Sequence, residues 1–384
     1  MNLTNRPSAL MERPMPTSRP APATNHRSLS ASRRGFSITE LLVVIFVIAL
    51  IIAITVPALS SARASAKRTE TSQLLSTLAS GVAQFRLDEN RQPGYFSVQD
   101  MGHSENATEG FSGMQNIMLE MLGGIVPDNT PAGANIISVG PRSGNASKVK
   151  VDRNQINLAQ PGGRKLYWAS LGSKVFERAD ENGLPVDIST VRRLGFTPGN
   201  ASPTGNQQIR EIVDAFGSPV LAWAADDSIR TPVTSVDDFA RIDSDSQPIR
   251  SRYYWNSNAA FLANGVQVGV QAKLQYEAPP DSGIIRSMIS QQRTAVDRQR
   301  TLTGLLGNPG SPLNPTDTTI TNILPSAPLA SVTFHAAGRD AYYLGIANAG
   351  AKQAGPSGAP ILDYGKVLRD KLVEKFDDVV QAAN

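Results

Sequence analysis

Residues 33–59 read RRGFSITELLVVIFVIALIIAITVPAL, and the organisation of the whole chain turns on them. The 19 residues Leu41–Leu59 carry no charge. At about 1.5 Å of rise per residue they reach roughly 28 Å as a helix, close to the ~30 Å hydrocarbon core of a bilayer. An ordinary secretory signal has a shorter apolar core followed by a small-residue cut site. Here the run is longer, and Ala58–Ala66 make a poor version of such a site. Taken alone, the run fits an uncleaved signal anchor. Two residues in it need a reason. Glu40, at its start, belongs to a class that costs about 2.5–3.5 kcal/mol at mid-bilayer and less near the edge. Pro57 removes one backbone hydrogen bond and crowds the carbonyl of Ala53.

Upstream, residues 1–34 are rich in Pro, Ser, Ala and Arg and have no apolar period, the composition of a disordered segment. The chain's net charge of +4 and its isoelectric point near 9.3 invite a nucleic-acid reading. The charge is local, however. Residues 1–35 hold Arg6, Arg13, Arg19, Arg27, Arg33 and Arg34 against Glu12, a net of +5 that leaves the remainder at −1. No nucleic-acid partner is expected. There is no cysteine, which excludes disulfides, thiolate metal sites and a cysteine nucleophile.

The order of basic pair, Gly35, aromatic Phe36, Glu40 four residues on and then an apolar helix resembles the N-terminal signature of type IV prepilins and type II secretion pseudopilins. The resemblance is close over residues 33 to about 60. It implies that a prepilin peptidase cuts between Gly35 and Phe36 and N-methylates Phe36. Glycine at the cut lets an extended backbone enter a narrow cleft. The resemblance also gives Glu40 a partner, the amine of Phe36 on a neighbouring subunit. The alternative is an acid that snorkels to the interface or is protonated. At Pro57 pilin helices bend or partly melt in the filament; the other reading is that the membrane helix ends there. Arg33 and Arg34 on one flank face Arg63, Lys67 and Arg68 on the other, so positive-inside counting is nearly balanced. The cytoplasmic position of the leader therefore follows from the resemblance.

From Ser60 the pattern becomes amphipathic, with Leu75, Leu78, Val82 and Phe85 at helical spacing. One helix is predicted from Phe36 to about Asn90, stopped by Asn90-Arg91-Gln92-Pro93-Gly94. The expected architecture is α+β: a leader over 1–35, a pilin-type long helix over 36–92 with 36–59 in the membrane, and a globular head over 93–384 with large insertions. In the head, the helix should pack on an antiparallel sheet. Met114–Leu122 is predicted as a helix closed by Gly123-Gly124 and Leu166–Ala169 as a strand. Asp214-Ala215-Phe216-Gly217-Ser218-Pro219 is similar to the turn that opens the pseudopilin sheet, and Val220–Ala224 reads as the strand after it. Further expectations are an amphipathic helix over Ile284–Leu306 and a low-complexity loop over Gly307–Pro315. Strands are expected at Val332–Phe334 and Tyr342–Ile346, and a helical face at Tyr364, Leu368 and Leu372. Asp377-Asp378-Val379-Val380 is similar to the end of many pseudopilins, where a calcium loop can lie nearby. Without the usual Asp-Gly-rich loop, solvated surface acids are the expectation, with calcium at Asp377 and Asp378 the alternative and no other cofactor implied.

No catalytic constellation assembles. The histidines are His26, His103 and His335, and the Gly-x-Ser-x-Gly, phosphate-loop and His-Glu-x-x-His patterns are missing. The expectation is a non-enzymatic filament subunit, single-pass in the bacterial inner membrane with its head in the periplasm or outside. Its expected partners are the prepilin peptidase, other pilin or pseudopilin subunits, the inner-membrane assembly platform and the lipid bilayer. The rival is a minor pilin whose enlarged head binds a surface or polymer, with Tyr253, Tyr254 and Trp255 either a contact patch or core.

Overall fold

Helix α1 runs without a break over Ile38–Glu89, 52 residues, with Pro57 inside it. The computed structural model describes residues 37–144, 147–157, 166–178, 184–185, 205–245, 250–262, 299, 302–303, 305–308, 324–338, 343 and 378–384. The chain divides into two compact units, one up to Ala58 and one from Leu59. In the first, the described residues are helical from Ile38 and apolar all round. Leu42, Phe46, Ile51 and Ile54 are all exposed. Among the described residues one helix is long and apolar enough to cross a membrane, and none of its most apolar window is buried.

In the second unit α1 becomes one-sided. Thr71, Leu74, Leu75, Leu78, Gly81, Val82 and Phe85 are buried, an i, i+3, i+4 stripe. Each large apolar member contributes about 1.5–3 kcal/mol by leaving water. The stripe accommodates Trp168, whose indole Nε1 donates to the carbonyl of Leu78 at 3.2 Å. Gly81 makes that approach possible, since a Cβ there would meet Trp168 Nε1 at 2.4 Å. Leu166–Ala169 is therefore an irregular segment that pins the indole to the helix, and the strand expected there does not form. The helix stops where Asn90 takes φ +52°, and Gly94 follows at φ +139°. Arg91 then grips Glu120 through two bonds of 2.8 and 2.5 Å, and the Gly94 amide donates to Glu120 at 2.7 Å.

Short helices α2 (Val98–Met101) and α3 (Asn106–Glu109) lead into α4 (Gly113–Met121). Helix α4 starts with a reciprocal capping box between Ser112 and Gln115, and positive φ at Gly123 and Gly124 follows its end. Strands β1 (Ile136–Val139) and β2 (Val149–Asp152) form an antiparallel pair, followed by α5 (Arg153–Asn157). Next come β3 (Leu221–Ala224), α6 (Val236–Phe239), β4 (Ala240–Arg241), β5 (Tyr253–Tyr254), β6 (Val332–Ala336) and β7 (Val379–Ala383). The central sheet is antiparallel in the order β3-β6-β7. β4 and β5 pair in parallel, a departure from an all-antiparallel head.

Alternation places the sheet between two apolar layers. Ala222, Val332, Phe334 and Ala336 join the cluster that contains the α1 stripe, and the rings of Trp168 and Phe334 lie 6.1 Å apart. Leu221 and Trp223 join the other cluster, with Phe239, Tyr253, Trp255, Leu302, Leu305 and Tyr343. The fold is α+β, built from one long apolar N-terminal helix and small sheets. Residues 284–298 of the expected late helix, most of the 307–315 loop, the Tyr342–Ile346 strand apart from Tyr343, and Tyr364, Leu368 and Leu372 lie outside the described residues.

Candidate functional site

Gly35 and Phe36 lie outside the described residues, which begin at Ser37. Just beyond them the helix start is built by two side chains. The Ser37 amide donates to Glu40 Oε2 at 2.8 Å, and the Glu40 amide donates to Ser37 Oγ at 3.1 Å. This is a reciprocal capping box, Ser-x-x-Glu, which satisfies two of the orphan amides at the helix end. Glu40 therefore has a partner in its own chain, a role distinct from both sequence expectations. The sequence signal for it is the Ser-x-x-Glu spacing of Ser37-Ile38-Thr39-Glu40. The acid also lies in the first turn, where the helix dipole favours a negative group.

Pro57 sits inside α1 and the helix continues to Glu89, so the proline does not end it. The Thr55 hydroxyl bonds the Ile51 carbonyl at 2.9 Å, a typical way for a threonine in an apolar helix to satisfy its own polar group.

The second unit carries a groove of about 710 Å³. It is lined by Arg86 and Leu87 of α1, the Asn90–Val98 connection, Asn116 and the Ala224–Asp227 segment after β3. Its volume falls in the range of small-ligand sites, ~300–1,000 Å³. Several of its charges are engaged locally. Asp226 accepts from Arg250 at 2.7 Å, Asp227 from Gln92, and Arg91 holds Glu120. Partial burial pushes the Asp227 carboxyl up. Asn116 is also occupied, accepting from the Phe96 amide at 2.8 Å and donating to the Phe96 carbonyl at 3.0 Å.

Tyr253, Tyr254 and Trp255 are about 1 % exposed or less, so they are core and form no contact patch. Asp378 corrects another expectation. It is buried against His335 of β6, its carboxylate on the imidazole Nε2, and is not a solvated surface acid. Complete burial pushes the His335 imidazole down to about 3. Tyr343 packs edge-on at 5.4 Å from its ring. Asp377 lies outside the described residues, and among those described no group of three or more His, Asp or Glu is arranged to hold a metal ion. Nearby, Asp214 closes the turn before β3 by accepting from the amides of Phe216 and Ser218, both at 2.9 Å. Burial raises its carboxyl to about 7. His103 lies 3.6 Å from Glu105 and 3.7 Å from Asp245, and the hydroxyl of Ser104 points to Asp245.

Set against family models, curated proteins and solved structures, the chain has no match in any of the three.

Proposed function

We propose that this chain is a prepilin-like structural subunit. It is cut between Gly35 and Phe36 by a prepilin peptidase and N-methylated at Phe36. The first part of α1 holds it as a single-pass protein in the bacterial inner membrane, with the head in the periplasm or outside. Assembly into a type II secretion pseudopilus or a type IV pilus-like filament follows. The observation that carries this reading is the start of α1. A capped helix begins at Ile38, immediately after the Gly35–Phe36 bond, and its first 21 residues, through Ala58, expose apolar side chains all round. The exposed apolar surface suits lipid or the same helix of a neighbour.

N-terminal sequencing or intact mass of membrane-extracted protein tests it. The expected species begins at methylated Phe36, and Gly35→Leu blocks the cut whereas Gly35→Ala permits it. A chain still starting at Met1 in cells that have the peptidase overturns the proposal.

A second reading, a minor subunit whose enlarged head binds a ligand, is favoured by one observation, the groove of mixed polar and apolar lining between Arg86 and Asp227. Substituting Arg86 with glutamate should then abolish capture of that ligand without affecting filament formation.

A further inference from the structure

Beyond Leu59, α1 carries three cations within six residues, Arg63, Lys67 and Arg68, all exposed. Among the described residues none of them has an ion-pair partner. Glu70 is the acid beside them on the same helix, also exposed and also without an ion pair among the described residues. Lys67 has one contact of note, its ammonium lying 5.4 Å from the centroid of the Phe216 ring. Phe216 is half-buried on the turn closed by Asp214, and the amide of Ala215 ties that turn to Thr71 of α1 at 3.2 Å. The arrangement thus joins a basic helix turn to an aromatic ring fixed on a loop.

We infer that this basic turn and Phe216 form a headgroup-binding belt for anionic phospholipids of the bilayer that α1 crosses. The inference rests on the membrane-spanning reading of α1. Three arguments support it. Arg63 is four residues past the end of the uncharged run, about 6 Å at helical rise, within the headgroup layer of roughly 5–7 Å. Lys67 is about 12 Å past it, but helical side chains lean toward the N-terminus, here toward the membrane, and long cationic stems extend that reach. Finally, the Phe216 ring lies against the Lys67 ammonium and orders that cation beside Arg63 and Arg68. The remainder of the chain after Gly35 is net −1, so the positive charge at this point is local.

The test uses the full chain in detergent, titrated with phosphatidylglycerol or phosphatidylcholine and read by native mass spectrometry. The expected result is about tenfold preference for phosphatidylglycerol, weakening with added salt. The triple variant Arg63→Gln, Lys67→Gln, Arg68→Gln should bring that preference close to one, and Phe216→Ala should reduce it by a smaller factor. Equal binding of the two lipids by wild type overturns the inference, and so does an unchanged preference in the triple variant. Alkaline extraction of wild-type membranes tests the anchor separately. A chain released by alkali removes the membrane-spanning reading, whereas a chain retained with no lipid preference removes only the belt.

Discussion

The two halves of α1 share one backbone and follow different rules. Up to Ala58 every face is apolar and exposed; from Thr71 to Phe85 one stripe is buried and the other faces are polar. The first half has no surface of its own chain to complement, so the fold of the single chain does not constrain the shape of its apolar residues. The second half meets a shaped surface made by Trp168, Phe334 and α4, so size and position matter. Within the single chain, the apolar residues of one need only hydrophobicity, and those of the other need complementarity.

The comparison breaks most sharply on a matched pair of truncations. Leu78→Ala should cost the head about 2–5 kcal/mol, read as a fall in its denaturation midpoint. Ile48→Ala should leave that midpoint unchanged. An equal loss from both would show that the first half is also packed against protein. A charge reverses the test. Ile48→Arg should impair membrane insertion by about 2.5–3.5 kcal/mol, seen as protein released by alkaline extraction, while the melting of the head is unaffected.

Glu40 sharpens it further, because the acid has a cap role in its own chain and a pairing role in the proposed filament. Glu40→Ala should leave membrane targeting intact and lower crosslinked incorporation into filaments at least tenfold, about 1.4 kcal/mol. Glutamine can still serve at the third position of a capping box but carries no charge. If Glu40→Gln assembles like wild type, the cap is what matters; if it fails like Glu40→Ala, the charge pairs with a neighbour's amine. Glu40→Asp should rescue poorly, since the shorter side chain draws the carboxylate back. Ser37→Ala removes only the cap, at about 0.5–2 kcal/mol, and should fray the first turn in amide exchange.

The smallest effect expected is a pH dependence of the head, small because two terms oppose each other. The Asp214 carboxyl is raised from 3.8 to about 7, so its contribution is complete below pH 4 and is lost as pH rises toward 7. The His335 imidazole is lowered from 6.5 to about 3, so its contribution is complete above pH 6.5 and is lost as pH falls toward 3. Between pH 4 and 6.5 the slopes oppose, and the midpoint temperature of the head should change little. Asp214→Asn should unmask a midpoint that rises with pH across that interval. A flat profile in this variant would show that His335 is not held neutral.

Much of this protein was legible in residue order alone, for a physical reason. The length and apolarity of residues 41–59, the stripe from Leu75 to Phe85, the stop at Asn90–Gly94 and the turn at Gly217 depend on near neighbours along the chain, so period and turn chemistry suffice to read them. The Ser37–Glu40 cap was equally local and could have been read from its Ser-x-x-Glu spacing. Other features depend on what arrives from far along the chain. Leu166–Ala169 has the composition of a strand, yet Trp168 finds its hydrogen bond on the carbonyl of Leu78, 90 residues earlier, and the segment yields to that contact. Asp378 has the composition of a surface acid, yet the register of β7 on β6 places it inside against His335, 43 residues away. Tyr253 and Trp255 become core because the second apolar layer closes over them, and Tyr254 is buried against Gly102. Local sequence determined where helices and turns begin and end; only tertiary packing decided which polar groups leave water, because burial belongs to the assembled surfaces and not to any one segment.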